Sequence, residues 1–291
     1  MADMAYDATT LEERAQAALR ALDQHHNVGG LYHHVLVDEA QDFPTSALRF
    51  AVRLLRPGSD SLLVVADAAQ NIYRTSFRWK DAGINALGRT RVLDTSYRNT
   101  REILDHAYWF LTKEERVAPG PAPGADDETA LIPPRLSSRS GPIPLLLQVG
   151  TPQQEVLAIA DQCQSFLDRG IAAGDIAVLY GATSIGGFHW PDSIMKAFAG
   201  RDLPLLWATD WRDSSKRELI GTDPSRIVLS TIHSAKGLEF SHVVLCGYLD
   251  DKPAEESVIS RRLIYVGMTR ATCELVLTAS GNHRYIADLE V

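Results

Sequence analysis

The stretch Val35-Leu36-Val37-Asp38-Glu39-Ala40-Gln41-Asp42 is a short apolar run that ends in two successive acids. Such a run, bounded by polar residues, is the pattern of a strand buried inside a parallel sheet. Neighbouring side chains on a strand point to opposite faces, so two acids in a row at its end cannot both be buried cheaply. They suit the mouth at the carboxyl end of a parallel sheet, where α/β proteins bind their ligands. A bare Asp-Glu pair is most simply a solvated acidic loop, and only the rest of the chain changes that balance.

Working outward, Leu62-Leu63-Val64-Val65 runs into Asp67-Ala68-Ala69-Gln70, and Val92-Leu93 precedes Ser96-Tyr97-Arg98-Asn99-Thr100. Helical spacing accompanies these strand-like runs. Leu11, Ala15, Ala18, Leu19 and Leu22 predict a helix over about 10–24. Pro44 opens a second, with Leu48, Val52 and Leu55 as its stripe before Pro57-Gly58, and 100–111 reads as a third. This alternation is a βαβ rhythm. Between Ala118 and Pro144 the composition turns to Pro, Gly and Ser, as in a linker or surface crossing. The rhythm then resumes. Thr151-Pro152-Gln153-Gln154 is a capping signal for a helix to Arg169, and strands are expected at 145–147, 176–180, 203–207, 227–230, 243–246 and 275–278.

Composition bounds the reading. The chain has 291 residues, 45% apolar and 23% charged, which excludes collagen, coiled coil and disordered classes. The net charge of -8 argues against wholesale wrapping of nucleic acid, so any such contact is a local groove. Cys163, Cys246 and Cys273 are widely spaced in apolar stretches, the usage of reduced core thiols. His25, His26, His33 and His34 straddle a Gly-Gly turn without a recognised ligand spacing, which reads as a solvated loop. No apolar run approaches a membrane span and no export signal opens the chain, so a cytoplasmic location with no membrane partner is expected.

Chemically, Asp38 can hold Mg²⁺ directly or through water while Glu39 orients or deprotonates a water aimed at a phosphate. The neutral amide of Gln70 can sense a phosphate oxygen. Tyr97 offers a face to a base, and Arg98 a guanidinium for charge on a transferring phosphoryl group. Further on, Thr231-Ile232-His233-Ser234-Ala235-Lys236-Gly237-Leu238-Glu239-Phe240 joins two strands. The segment from Arg262 to Ala271 reads as a helix, with Arg270 near its end free to reach across a domain boundary. Singly, each of these favours a bland explanation.

Five segments in one order, 35–42, 62–73, 95–100, 228–240 and 261–271, together resemble the superfamily 1 helicases of the UvrD/Rep type. The resemblance implies an α/β, P-loop NTPase-related fold of two RecA-like domains with parallel sheets. The first domain is incomplete here, over 1–118, followed by a Pro-rich linker over 119–142 and a second domain over 143–291. It implies an ATP-driven motor on single-stranded DNA. By that resemblance Asp38 is the Mg²⁺-associated acid, Glu39 acts on the attacking water, and Gln70 senses the γ-phosphate. Tyr97 stacks on adenine, Arg98 and Arg270 touch the γ-phosphate, Glu239 accepts from the ribose hydroxyl, and Gly237 allows close backbone approach. Thr231 and His233 link the nucleotide to the DNA backbone, and either Phe77 or Trp79 stacks on a DNA base, a buried core aromatic being the other reading for both.

The sequence departs from the family in one way that bears on activity. Only 37 residues precede Asp38, and Gly-x-x-x-x-Gly-Lys-Ser/Thr occurs nowhere in the chain. Without that loop's N–H groups, Lys and hydroxyl, the β- and γ-phosphates lose most of their positive surroundings. ATP and Mg²⁺ are therefore expected to bind weakly or not at all, and this chain alone to hydrolyse ATP negligibly. Three readings follow: a helicase fragment, a non-hydrolysing DNA- or protein-binding module of helicase descent, or a motor whose phosphate loop arrives on another polypeptide.

Overall fold

The computed structural model describes residues 8–24, 30–72, 79–93, 95–113, 136–209, 223–248, 260–281 and 285–289. They divide into two compact units, one up to Leu93 and a second from Thr95 onward. The backbone and side chains of 95–113 pair with later parts of the chain.

In the first unit, α1 (Ala8–Gln24) packs on α2 (Thr45–Arg53), where Ser46 Oγ donates to the Glu12 carboxylate at 2.6 Å. The strands β1 (Val35–Val37) and β2 (Leu62–Val64) pair in parallel, Val35 opposite Leu62 and Val37 opposite Val64, with α2 as the crossover between them. Period-2 geometry turns Val35, Val37, Leu62 and Val64 onto a core of Ala40, Leu48 and Ala82. It also turns Leu36 and Leu63 outward, cross-strand neighbours that are 73% and 56% exposed. Burial on both faces, expected of a parallel strand, therefore holds for one face only. Val92-Leu93, expected as a strand, is exposed irregular chain.

The second unit opens with β3 (Thr95–Ser96), α3 (Arg101–Thr112) and β4 (Leu136–Ser137), β4 pairing in parallel with β3. Then follow β5 (Leu145–Val149), α4 (Pro152–Asp168), β6 (Ile176–Tyr180), the short hairpin β7 (Ser184–Ile185) and β8 (Phe188–His189), and α5 (Trp190–Ala199). The chain continues through β9 (Leu205–Trp207), β10 (Ile227–Thr231), β11 (Phe240–Cys246), α6 (Arg261–Met268), β12 (Ala271–Ser280) and α7 (Ile286–Leu289). Six of these strands form one parallel sheet in the order β5-β12-β11-β6-β10-β9. Helix α4 starts as expected, Thr151 Oγ1 accepting from the Gln154 N–H with Pro152 in the first turn.

Helices cover both faces of that sheet. Val156, Ile159, Cys163 and Phe166 of α4 and Ile194 and Phe198 of α5 meet Ile176, Val178, Leu229 and Val244 on one face. On the other, α6 lies so close to β11 that a Cβ on Gly267 would come within 2.7 Å of the Leu245 side chain, and α3 packs against α6. The carboxyl ends of all six strands share one edge. The β10 to β11 connection therefore runs from the carboxyl edge at Thr231 back to the amino edge at Phe240, past β6.

Candidate functional site

In the first unit the two acids stand where the sequence puts them, beyond the end of β1. Glu39 adopts φ 53 and ψ 39, a left-handed conformation that a residue with a Cβ enters at a cost of about 1–2 kcal/mol. The turn is held from several sides. The Glu39 N–H donates to Asp38 Oδ1 at 2.8 Å, the Ala40 N–H to the Val65 carbonyl at 2.9 Å, and the Asp42 N–H to the Glu39 carbonyl at 2.9 Å. Strain kept by this many constraints is typical of functional turns. Behind Glu39, the buried Gln41 donates from Nε2 to the Glu39 carboxylate and accepts at Oε1 from the Asp67 N–H at 2.9 Å. Asp67 in turn accepts from Gln70 Nε2 at 2.8 Å and from the Ala69 N–H at 2.9 Å. The ends of β1 and β2 are thus joined by one chain of hydrogen bonds from Glu39 to Gln70.

Proteins hold Mg²⁺ through one or two carboxylates, with water and substrate phosphate completing the shell. The exposed Asp38 carboxylate fits that donor pattern as a single ligand. Among the described residues no cluster of three or more His, Cys, Asp or Glu side chains forms a metal cage, and His33 Nε2 lies 2.8 Å from Arg56. Of the two aromatics considered for stacking on DNA, Phe77 lies outside the described residues. Trp79 packs partly buried against the first unit's core.

In the second unit the site gathers at the amino edge of the sheet. Tyr97 is 73% exposed, and Arg98 Nε pairs with Glu239 Oε1 at 2.8 Å. Asn99, one residue on, is buried and donates to the carbonyls of Thr269 and Ala271 at 2.9 and 2.6 Å, gripping the backbone on either side of Arg270. A second support comes from the Pro-rich side of the chain. Arg139 donates to the Arg98 carbonyl at 2.6 Å and approaches Cys273 Sγ at 3.1 Å, while the Arg101 N–H donates to the Arg139 carbonyl at 2.9 Å. The Ser140 hydroxyl and the Gly141 N–H both donate to Glu102, and these bonds hold its carboxyl below the usual range.

Arg270 corrects an expectation. It sits in the turn between α6 and β12 and is only 4% exposed. Its guanidinium donates to the Val266 carbonyl at 3.0 Å, the Leu238 carbonyl at 3.2 Å and Thr269 Oγ1 at 3.2 Å. Burial of a guanidinium requires such partners, so it is anchored within its own unit and is not a freely reaching side chain. Thr231 likewise is buried, and its hydroxyl accepts from the Ser234 N–H at 3.0 Å, shaping the turn that carries the half-buried His233. Gly237 has φ 82, a left-handed conformation that favours glycine, and no described residue comes within 4 Å of where a Cβ would stand.

Four supporting residues escaped the sequence reading. Gln41, Asp67 and Asn99 lie inside the motifs, where a polar residue beside an apolar strand end was a signal of a hydrogen-bond partner; Gln41 and Asn99 are buried and Asp67 is exposed. Arg139 has no comparable signal, because its role depends on a pairing between distant segments.

Two family models match the chain, "UvrD/REP helicase N-terminal domain" over residues 2–90 and "UvrD-like helicase C-terminal domain" over residues 204–282, together more than half of its length. The chain belongs to the UvrD/Rep-type helicase family. Among curated relatives, the ATP-dependent DNA helicase PcrA of Bacillus subtilis strain 168 is 40% identical over 98 residues, 30% of this chain and 12% of PcrA. The ATP-dependent DNA helicase Rep of Escherichia coli K12 is 34% identical over 85 residues, 27% of this chain and 13% of Rep. The aligned stretches are thus a small part of these relatives. Among solved structures, the C-terminal domain of a possible DNA helicase from Lactobacillus plantarum WCFS1 has TM-score 0.44 and 19% identity, covering 67% of this chain and 94% of that one. The PRRSV helicase has TM-score 0.38 and 13% identity, covering 85% of this chain and 34% of that one. The parallel sheets of the UvrD/Rep-type chain described above are in keeping with the α/β, RecA-like class expected of it. No helix among the described residues is long and apolar enough to cross a membrane.

Proposed function

We propose that this chain is part of an ATP-dependent DNA motor of the UvrD/Rep type, and that these 291 residues alone hydrolyse ATP negligibly. The observation that carries the proposal is the second unit's amino edge. There Tyr97 is exposed beside an Arg98–Glu239 pair at 2.8 Å, with Asn99 bound to both sides of Arg270. A flat aromatic, a guanidinium and a carboxylate in one place suit a base, a phosphate and a ribose hydroxyl. In the first unit Glu39 is placed to orient or deprotonate a water, Gln70 to register a phosphate oxygen, and Asp38 to bind Mg²⁺, which supplies charge neutralisation to the phosphates when bound. His233, with Thr231 shaping its turn, is the proposed contact to single-stranded DNA. Hydrolysis waits on a phosphate-cradling loop with its Lys, for which no sequence exists in this chain.

The test is reconstitution. The purified chain is assayed for ATPase with and without single-stranded DNA, then with a separately made polypeptide carrying a Gly-x-x-x-x-Gly-Lys-Thr loop between a strand and a helix. DNA-stimulated, Glu39-dependent turnover that appears only on addition supports the motor. DNA or protein binding without turnover under any of these conditions supports the alternative, a non-hydrolysing module of helicase descent, which the missing loop favours.

A further inference from the structure

We propose that Gln41 is a positioning residue that fixes the Glu39 carboxylate relative to Gln70, an inference that rests on the roles given to those two residues above. Its side chain is 2% exposed, and both ends of its amide are engaged, Nε2 by the Glu39 carboxylate and Oε1 by the Asp67 N–H at 2.9 Å. The orientation of the amide follows from its partners. A carboxylate only accepts and a backbone N–H only donates, so one of the two amide flips satisfies both ends and the other satisfies neither. Gln70 is set by the same logic, since the Asp67 carboxylate it meets at 2.8 Å accepts only.

Several features separate this arrangement from ordinary satisfaction of a buried amide. The two partners belong to different strand ends, Asp67 lying 26 residues beyond Gln41 in the chain, so the side chain spans the edge of the sheet and not a single turn. One partner is the strained left-handed Glu39. The other begins the turn whose third member beyond it is Gln70, and that turn is closed by Asp67 Oδ1 on the Ala69 N–H at 2.9 Å. A displacement of the Glu39 carboxylate therefore pulls on the Asp67 turn through one rigid amide, and a displacement of Gln70 pulls back along the same bonds. Hydrogen bonds in series polarise one another, which favours the whole arrangement over its separate parts. Asn at position 41 is one methylene too short to span the gap, Glu would set two carboxylates together, and Met keeps the volume while removing both bonds.

The experiment uses side-chain and backbone amide NMR of the intact 291-residue chain. In Gln41→Met, the Asp67 N–H exchanges with solvent about tenfold faster and the Gln70 side-chain amide signals move, while the second unit's amides stay in place. Because a core variant can fail to fold, the reciprocal change is read as well. Gln70→Ala, at a half-buried position, shifts the Gln41 side-chain amide signals. If Gln41→Met folds and leaves Asp67 exchange and the Gln70 amide unchanged, or if Gln70→Ala leaves the Gln41 amide unmoved, the proposal is overturned. Where reconstitution restores ATPase, Gln41→Met lowers kcat and leaves KM for ATP unchanged; an unchanged kcat overturns it too. Failure of reconstitution counts against the proposed motor alone, because the two NMR readouts do not depend on turnover.

Discussion

His106 on α3 is 4% exposed, and neither ring nitrogen has a hydrogen-bond partner among the described residues. Burial disfavours the charged imidazolium and pushes its pKa from 6.5 down to about 4. The unfolded chain takes up this proton near 6.5 and the folded chain only near 4, so the stability linked to His106 is fully present above pH 6.5. It is lost as the pH falls through that window. At about 1.36 kcal/mol per pH unit the full loss is about 3 kcal/mol, of which about 2 kcal/mol has gone by pH 5. The perturbation is His106→Leu, which keeps an apolar side chain on α3 and removes the titrating ring. Urea unfolding of the second unit, followed by fluorescence of Trp190 and Trp207, gives the free energy at pH 7.5 and pH 5.0 for both proteins. Other groups, such as the buried Glu155 whose carboxyl burial pushes up, titrate alike in both and cancel in the comparison. The wild type should lose about 2 kcal/mol more than the variant on going to pH 5. Equal losses would refute the reasoning, because they would mean that the ring is solvated or paired in solution.

Asn99→Ala strips the partner from two carbonyls beside Arg270 and should cost the second unit about 2–4 kcal/mol, read as a drop in its urea midpoint. Glu239→Gln removes only an exposed ion pair, so that midpoint should move by less than about 1 kcal/mol equivalent. In the first unit, Leu48→Ala should cost about 2–5 kcal/mol in thermal or urea unfolding. The outward-facing change Leu36→Ser should stay within about 0.5 kcal/mol, and equal effects of the two would show that the bare face of β1 is buried in solution.

Local pattern made much of this legible. Alternating strand and helix signals gave the second unit's parallel sheet nearly strand for strand, and Thr151 with Pro152 gave the start of α4, because capping and periodicity act over a few residues. What escaped depends on distant partners. Val92-Leu93 has the composition of a strand but pairs with no strand among the described residues, whereas Thr95-Ser96 is recruited by Leu136-Ser137, across a Pro-rich stretch that reads as a linker. The burial of Arg270 was equally hidden, since nothing in Met268-Thr269-Arg270-Ala271 reveals that carbonyls of Val266 and Leu238 close around the guanidinium. Site chemistry was legible in the acids and arginines that motifs display. The amides that hold them, Gln41 and Asn99, were visible as letters but not as spans between strand ends.

Turnover of ATP by the purified chain is the measurement that bears most directly on the whole account. With single-stranded DNA and Mg²⁺ present, the chain alone should release no phosphate above a Glu39→Gln control, and adding a polypeptide with a Gly-x-x-x-x-Gly-Lys-Thr loop should raise release in a Glu39-dependent way. Phosphate release by the unaided chain that disappears in Glu39→Gln would contradict it.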